Sequence, residues 1–232
     1  MPAQPRSGGV RRISVRVLPW ALLILGIAAS SAIAYRQYHA ARQARAALAV
    51  LEPGPIDVGF AQSMSAHHQQ AIAMAQLMLD GRPTPLAGLA RTIAHAQLTE
   101  IGEMRGWLRL WRQPAAPPAR GMDWMLLGAA PPDAALLQYL LDCRNAPAGM
   151  TGMASAEELS RLRALDGRER DELFLRLMLA HHRGGLPMAQ FAAANARLPA
   201  VRTLAAQMVI DQSEEVRRML LTLQAMGVRS AD

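Results

Sequence analysis

The sequence predicts an all-α protein: two copies of one αα-hairpin joined by a long crossover connector, preceded by a single N-terminal transmembrane helix. Three observations carry this. The chain is 51% hydrophobic but only 4% aromatic, and an apolar content drawn from Ala, Leu and Met favours packed helices over sheet. One segment is written twice: Phe60, Met64, His67, His68, Met74 and Ala75 recur 114 residues later as Phe174, Met178, His181, His182, Met188 and Ala189. Gln97, Glu100, Ile101 and Met104 recur as Gln212, Glu215, Val216 and Met219 at a spacing one residue longer, so the repeated unit spans two helices. Finally, residues 17–35 carry no charge.

Residues 1–45 contain seven Arg and no acidic residue, and so supply the whole net charge of +7. From residue 46 onward, 18 Arg balance 18 Asp and Glu. The folded part is formally neutral, which argues against a nucleic-acid partner. The single cysteine, Cys143, permits no internal disulfide and reads as a small buried apolar residue.

Residues 1–16 are polar and basic and are expected to stay in the cytoplasm. The apolar run 17–35 is long enough to cross a hydrocarbon core of about 30 Å as a helix, and the charge ahead of it favours export of the chain beyond it. A cleaved signal peptide is the rival reading, with Ala32-Ile33-Ala34 as its A-x-A-like site. Either way the remainder is exported, as an anchored domain or, after cleavage, a secreted one.

Residues 36–55 read as a helical juxtamembrane spacer ended by Pro53-Gly54-Pro55. The duplicated domain then spans 56–228. Repeat one, 57–113, has Asp57 as the expected N-cap of a helix over 58–79, a stop at Asp80-Gly81-Arg82-Pro83, and a second helix over 86–112. The connector, 114–167, holds a short helix around 133–141. A second opens at the capping box Ser155-Ala156-Glu157-Glu158 and runs through residue 165. Repeat two, 168–227, supplies helices over 168–194 and 200–226, with Gly227 as the stop.

At 100° per residue, Phe60, Met64, His67, His68, Ala71, Met74, Ala75 and Met78 fall within about 120° of arc, so the histidine pair lies on the apolar stripe. His181 and His182 do the same among Phe174, Met178, Gly185 and Met188. Antiparallel helices joined by a short turn pair residues symmetrically about the turn. About Arg82, Phe60 meets Met104, Met64 meets Glu100 and His67 meets Gln97. About Ala196, Phe174 meets Met219, Met178 meets Glu215 and His181 meets Gln212. Both copies predict the same layers.

Each hairpin therefore buries two imidazoles, a carboxylate, an amide and a thioether at one level. Such groups must hydrogen-bond one another or hold something. Imidazole with thioether suits Cu(I); imidazole with carboxylate also suits other transition metals. His67, His68, His181 and His182 are the candidate ligands, with Met64 and Met178 as thioethers and Glu100 and Glu215 as carboxylates. Gln97 and Gln212 are expected as hydrogen-bonding supports to the ligands. Competing readings stay open: methionine at helical spacing also fills cores, and Glu100 or Glu215 could pair with Arg. The two layers could merge into one site or remain two.

These residues resemble domain-of-unknown-function family 305. The matching features are Phe60-x3-Met64-x2-His67-His68-x5-Met74-Ala75 and Gln97-x2-Glu100-Ile101-x2-Met104, then Gly149-Met150-Thr151-Gly152-Met153, Glu157-Glu158-Leu159, and Asp171 through Ala189. The resemblance covers about residues 56–226. It implies a ferritin-like four-helix bundle, exported or membrane-anchored, in a family with extracytoplasmic copper-binding members. It points to the same four histidines with Met64 and Met178, and adds Met150 and Met153 as connector thioethers. One departure is Gln70, which stands where the second copy has Gly184; a bulkier group there predicts inequivalent copies.

The expected function is membrane-anchored, extracytoplasmic binding, sequestration or delivery of a copper ion or another transition metal, without turnover. Two other classes fit fewer residues. A helical interaction module would need the buried His, Gln and Glu to satisfy one another. A ferritin-like di-metal oxidase would need two Glu-x-x-His pairs, and neither Glu100 nor Glu215 has a histidine three residues on.

Overall fold

Helix succeeds helix from residue 18 to residue 225, with no strand among the described residues. The computed structural model describes residues 18–49, 51–118, 122–146 and 148–228; the basic segment 1–16 lies outside the described residues. The chain divides into two units, 1–51 and 52–232.

The first unit is one helix, α1 (Leu18–Ala49). The span and the helical spacer expected from the sequence are continuous in it, because no Gly, Pro or cap interrupts the Ala- and Arg-rich stretch after Tyr35. Its stretch Trp20–Arg45 is long and apolar enough to cross a membrane.

The second unit holds α2 (Pro55–Met78), α3 (Ala87–Leu110), a 3-10 turn (Asp123–Leu127), α4 (Ala134–Asn145), α5 (Ala156–Ala164), α6 (Gly167–Asn195) and α7 (Pro199–Ala225). Pro55 and Pro199 sit at helix starts, where their missing N–H costs nothing. The Ser155 capping box forms as the sequence predicts, Ser155 Oγ accepting from the Glu158 N–H and Glu158 from the Ser155 N–H. Asp57 is not the N-cap of α2. It stands in the first turn, after Gly54, and its carboxylate accepts the Gly54 N–H at 2.7 Å.

Asp57 also reaches across to the other hairpin, accepting the N–H groups of Arg197 at 3.2 Å and Leu198 at 2.9 Å. Asp171, 114 residues further on, does the equivalent from α6: it accepts the Thr84 hydroxyl at 2.6 Å beside the α2–α3 turn. Each hairpin thus ties down the turn of the other, and α2 and α6 run antiparallel. Two apolar clusters arise from that crossing. Phe60, Met64 and Met104 pack with Met188, Ala192 and Met208; Met74, Met78 and Ile93 pack with Phe174, Met178 and Met219. Between them lies a belt of buried polar side chains centred on the histidines.

Helix α6 runs through Gly184, Gly185 and Pro187, a combination that would break an isolated helix. Tertiary packing reverses the local preference. A Cβ on Gly184 would lie 2.2 Å from the Thr151 carbonyl oxygen, and one on Gly185 would lie 3.0 Å from Cε1 of His67. The glycines are therefore where the connector and the partner helix press closest.

Candidate metal centre

The two histidine pairs meet. The rings of His67 and His181 lie 3.7 Å apart between centroids with planes inclined at 35°. His68 and His182 flank them, 6.5 Å and 6.2 Å from their chain neighbours' rings. All four are buried to within 1% of complete exclusion from solvent. The repeat places each pair on an apolar stripe, and the antiparallel crossing of α2 and α6 brings the stripes together into one layer.

Hydrogen bonds orient these rings. Nε2 of His181 donates to the carbonyl oxygen of His67 at 2.9 Å. A carbonyl only accepts, so His181 carries its proton on Nε2 and presents a bare lone pair at Nδ1. Nε2 of His68 lies 2.7 Å from Oε2 of Glu100, and Nε2 of His182 lies 2.6 Å from Oε2 of Glu215. With the carboxylates ionised, both rings adopt the same tautomer. Carboxylate–imidazole pairs of this kind orient metal-binding histidines and raise their basicity.

Polar atoms remain over. Among the described residues, both ring nitrogens of His67 and Nδ1 of His68, His181 and His182 are buried without a hydrogen-bond partner. Oε1 of Gln97 and both amide atoms of Gln212 share that condition. Burial pushes His67 and His68 down to about 3, with neighbouring imidazoles adding to the effect. Burial and the other three rings hold His181 well below the usual imidazole range. These rings are neutral at pH 7, the form that binds metals. Glu100 is pushed up to about 7, first by burial and then by Asp211 and Glu215. With Glu100 ionised, the close His68–Glu100 contact is a hydrogen bond donated by a neutral ring, not an ion pair.

Phe60 shares a cluster with Met104, and Phe174 with Met219. Glu100 and Glu215, placed opposite Met64 and Met178 by the turn symmetry, hydrogen-bond the second histidine of each pair, and neither pairs with an Arg among the described residues. Gln212, expected against His181, has Oε1 beside Gly185 next to His67 of the other hairpin. Met64 and Met178 are fully buried, but on opposite sides of the imidazole layer, one in each apolar cluster. No three His, Cys, Asp or Glu side chains among the described residues close into a coordination set.

The connector contributes more than its sequence suggests. Trp124 packs against α2 where a Cβ on Gly59 would lie 2.3 Å from its ring, and donates from Nε1 to Ser63 Oγ at 3.1 Å. The strap 149–154 crosses the seam of α2 and α6. Thr151 and Tyr139 donate their hydroxyls to the Gly184 carbonyl, at 3.3 Å and 2.9 Å. Gln70 accepts the Ala154 N–H at 2.6 Å and donates to the Ala154 carbonyl at 2.9 Å. The copies are therefore inequivalent at this position: Gln70 grips the strap, while Gly184 makes room for it. Met150 is buried and Met153 half-buried against the cluster that holds Met64.

A family model described as domain of unknown function (DUF305) matches residues 57–223. A DUF305 protein from Streptomyces coelicolor is 33% identical with a TM-score of 0.64, covering 76% of this chain and 97% of that one. A DUF305 fragment from Deinococcus radiodurans is 28% identical with a TM-score of 0.57, covering 75% and 99%. CopM in its Cu(I)-bound form is 26% identical with a TM-score of 0.53, covering 73% and 96%. No curated protein matches the chain.

Proposed function

The chain belongs to the DUF305 family, and we propose that it is a membrane-anchored, extracytoplasmic protein that binds copper, for sequestration or delivery, in its buried imidazole layer. One observation carries the reading: five ring nitrogens on four buried histidines lack a hydrogen-bond partner among the described residues. Each costs on the order of 1–3 kcal/mol if left unsatisfied. A polar network that existed only to hold helices together would satisfy its own members; this one leaves lone pairs bare and aligned by Glu100, Glu215 and the His67 carbonyl. A cation supplies the partner for the four bare lone pairs; the fifth nitrogen carries the proton of the neutral His67 ring.

Several features favour Cu(I). Burial keeps the His67, His68 and His181 rings neutral at pH 7, and methionine-rich packing lies on both sides. That is the environment of a soft, low-coordinate ion and not of an oxygen-seeking one. The likeness to CopM, which has a Cu(I)-bound form, adds to this. The basic start and the apolar helix α1 behind it support anchoring with the bundle outside the cytoplasm. Copper is the cargo, and no turnover is assigned.

The test is Cu(I) competition against a chromophoric chelator, using the full chain in detergent and its His67/His68/His181/His182→Ala variant. Wild type should withdraw stoichiometric Cu(I) and the variant should lose at least a hundredfold in affinity. Equal affinity in the two, or a wild-type melting temperature that Cu(I) leaves unmoved, would overturn the reading.

A further inference from the structure

His67, His68 and His182 are 0% exposed and His181 is 1% exposed, so nothing reaches their bare nitrogens unless part of the cover moves. Glu100 and Glu215 stand at one approach, each already hydrogen-bonded to an outer ring and 12–14% exposed. The strap 149–154 stands at another. A Cβ on Gly184 would lie 2.2 Å from the Thr151 carbonyl oxygen and one on the next residue, Gly185, 3.0 Å from Cε1 of His67, so the strap and the central ring press on adjacent positions of α6.

The strap is built from parts that separate without unfolding a helix. It joins α4 to α5 and forms no regular structure itself. Gly149 and Gly152 have φ of 70° and 78°, a region that L side chains rarely adopt. Its fit to α6 is backbone against backbone: a Cβ on Gly152 would lie 2.3 Å from the Ala180 carbonyl oxygen. Thr151, Gly152 and Met153 are half-buried, leaving Met150 and Ala154 as its buried side chains. On the α2 side, Gln70 closes a two-bond clasp on Ala154. The equivalent position of the second repeat is Gly184, which has no side chain to form such a clasp.

We propose that Gln70 is a latch, and that release of its two hydrogen bonds lets strap 149–154 lift from His67 and sets the rate at which a soft cation enters and leaves the imidazole layer. The cargo in this statement rests on the copper-binding reading; the motion does not. Latch and site are separable, because Gln70 holds the cover and none of the rings.

Three measurements on the full chain test this. Native-state hydrogen exchange should show the Ala154 N–H opening at lower denaturant than the amides of α2 and α6 around the histidines. If it exchanges only with them, by global unfolding, the latch is refuted, and this needs no variant. Gln70→Met keeps the volume and removes both bonds; Gln70→Glu keeps only acceptance from the Ala154 N–H. The rate at which diethylpyrocarbonate labels His67 and His181 in the metal-free protein, read residue by residue by mass spectrometry, should rise roughly tenfold in Gln70→Met and less in Gln70→Glu. Cu(I) transfer to and from a chelator should accelerate in both directions by a similar factor with affinity unchanged. Unaltered labelling in a variant that melts like wild type would overturn the proposal, as would a change in affinity without a change in rates. Faster labelling in a protein whose wild type takes up no Cu(I) would keep the latch and remove the copper reading.

Discussion

His181 donates from Nε2 to the backbone carbonyl of His67, its partner 114 residues earlier, while the two rings lie tilted against each other at 3.7 Å between centroids. One repeat thereby fixes the tautomer of the other, and the atom left facing the interior is Nδ1. At pH 8, above the raised value of Glu100, long-range proton–nitrogen NMR of the metal-free chain should therefore show His68, His181 and His182 with the proton on Nε2. Cu(I), which is diamagnetic, should then shift the Nδ1 resonances. A proton found on Nδ1 of His181 would contradict the hydrogen bond from which this is argued.

Stability should depend on pH in a direction set by the imidazoles. His67 and His68 fall from 6.5 to about 3 on folding and His181 is lowered too. Between those values the unfolded chain binds more protons, so stability rises with pH and is lost as pH falls from 6.5 toward 3. Glu100 acts in the opposite sense, because its folded value is raised from 4.5 to about 7 and its ionisation disfavours the folded state as pH rises through that window. Three imidazoles outweigh one carboxylate. Thermal melts of the metal-free protein should give a melting temperature several degrees higher at pH 7.5 than at pH 5, and Glu100→Gln should steepen the rise.

Asp57 satisfies three backbone donors on two hairpins. Asp57→Ala strands the buried Leu198 N–H and loosens the α6–α7 turn, and should cost about 3 kcal/mol in urea unfolding. Asp57→Asn retains an acceptor and should cost less than half of that. Equal losses for the two would mean that packing, not hydrogen bonding, is at stake.

Two glycine-to-alanine changes should have opposite signs. Gly184→Ala drives a methyl into the Thr151 carbonyl 2.2 Å away and should destabilise by about 1–3 kcal/mol. Gly102→Ala, at an exposed position of α3 with nothing within 4 Å, should stabilise by about 0.5–1 kcal/mol. Denaturant midpoints at unchanged slope would check both. A neutral Gly184→Ala would mean that the strap yields freely.

Much of the architecture was written in the residue order. The doubled Phe-Met-His-His-Met spacing announced two hairpins, and its phase turned all four histidines inward. The spacing of Asp57 and Asp171 carried the same period, but nothing local says that each would bind the opposite turn. Gly184-Gly185-x-Pro187 signals a helix break by propensity, yet α6 passes through it because the strap and His67 occupy the space a side chain would fill. Periodicity determines which face a residue takes, since that depends only on the rise and turn of its own helix. Whether two such faces meet at one height depends on contacts between residues more than a hundred positions apart. That is why His67 against His181, Glu100 on His68, and Gln70 on Ala154 were decided by the tertiary structure alone.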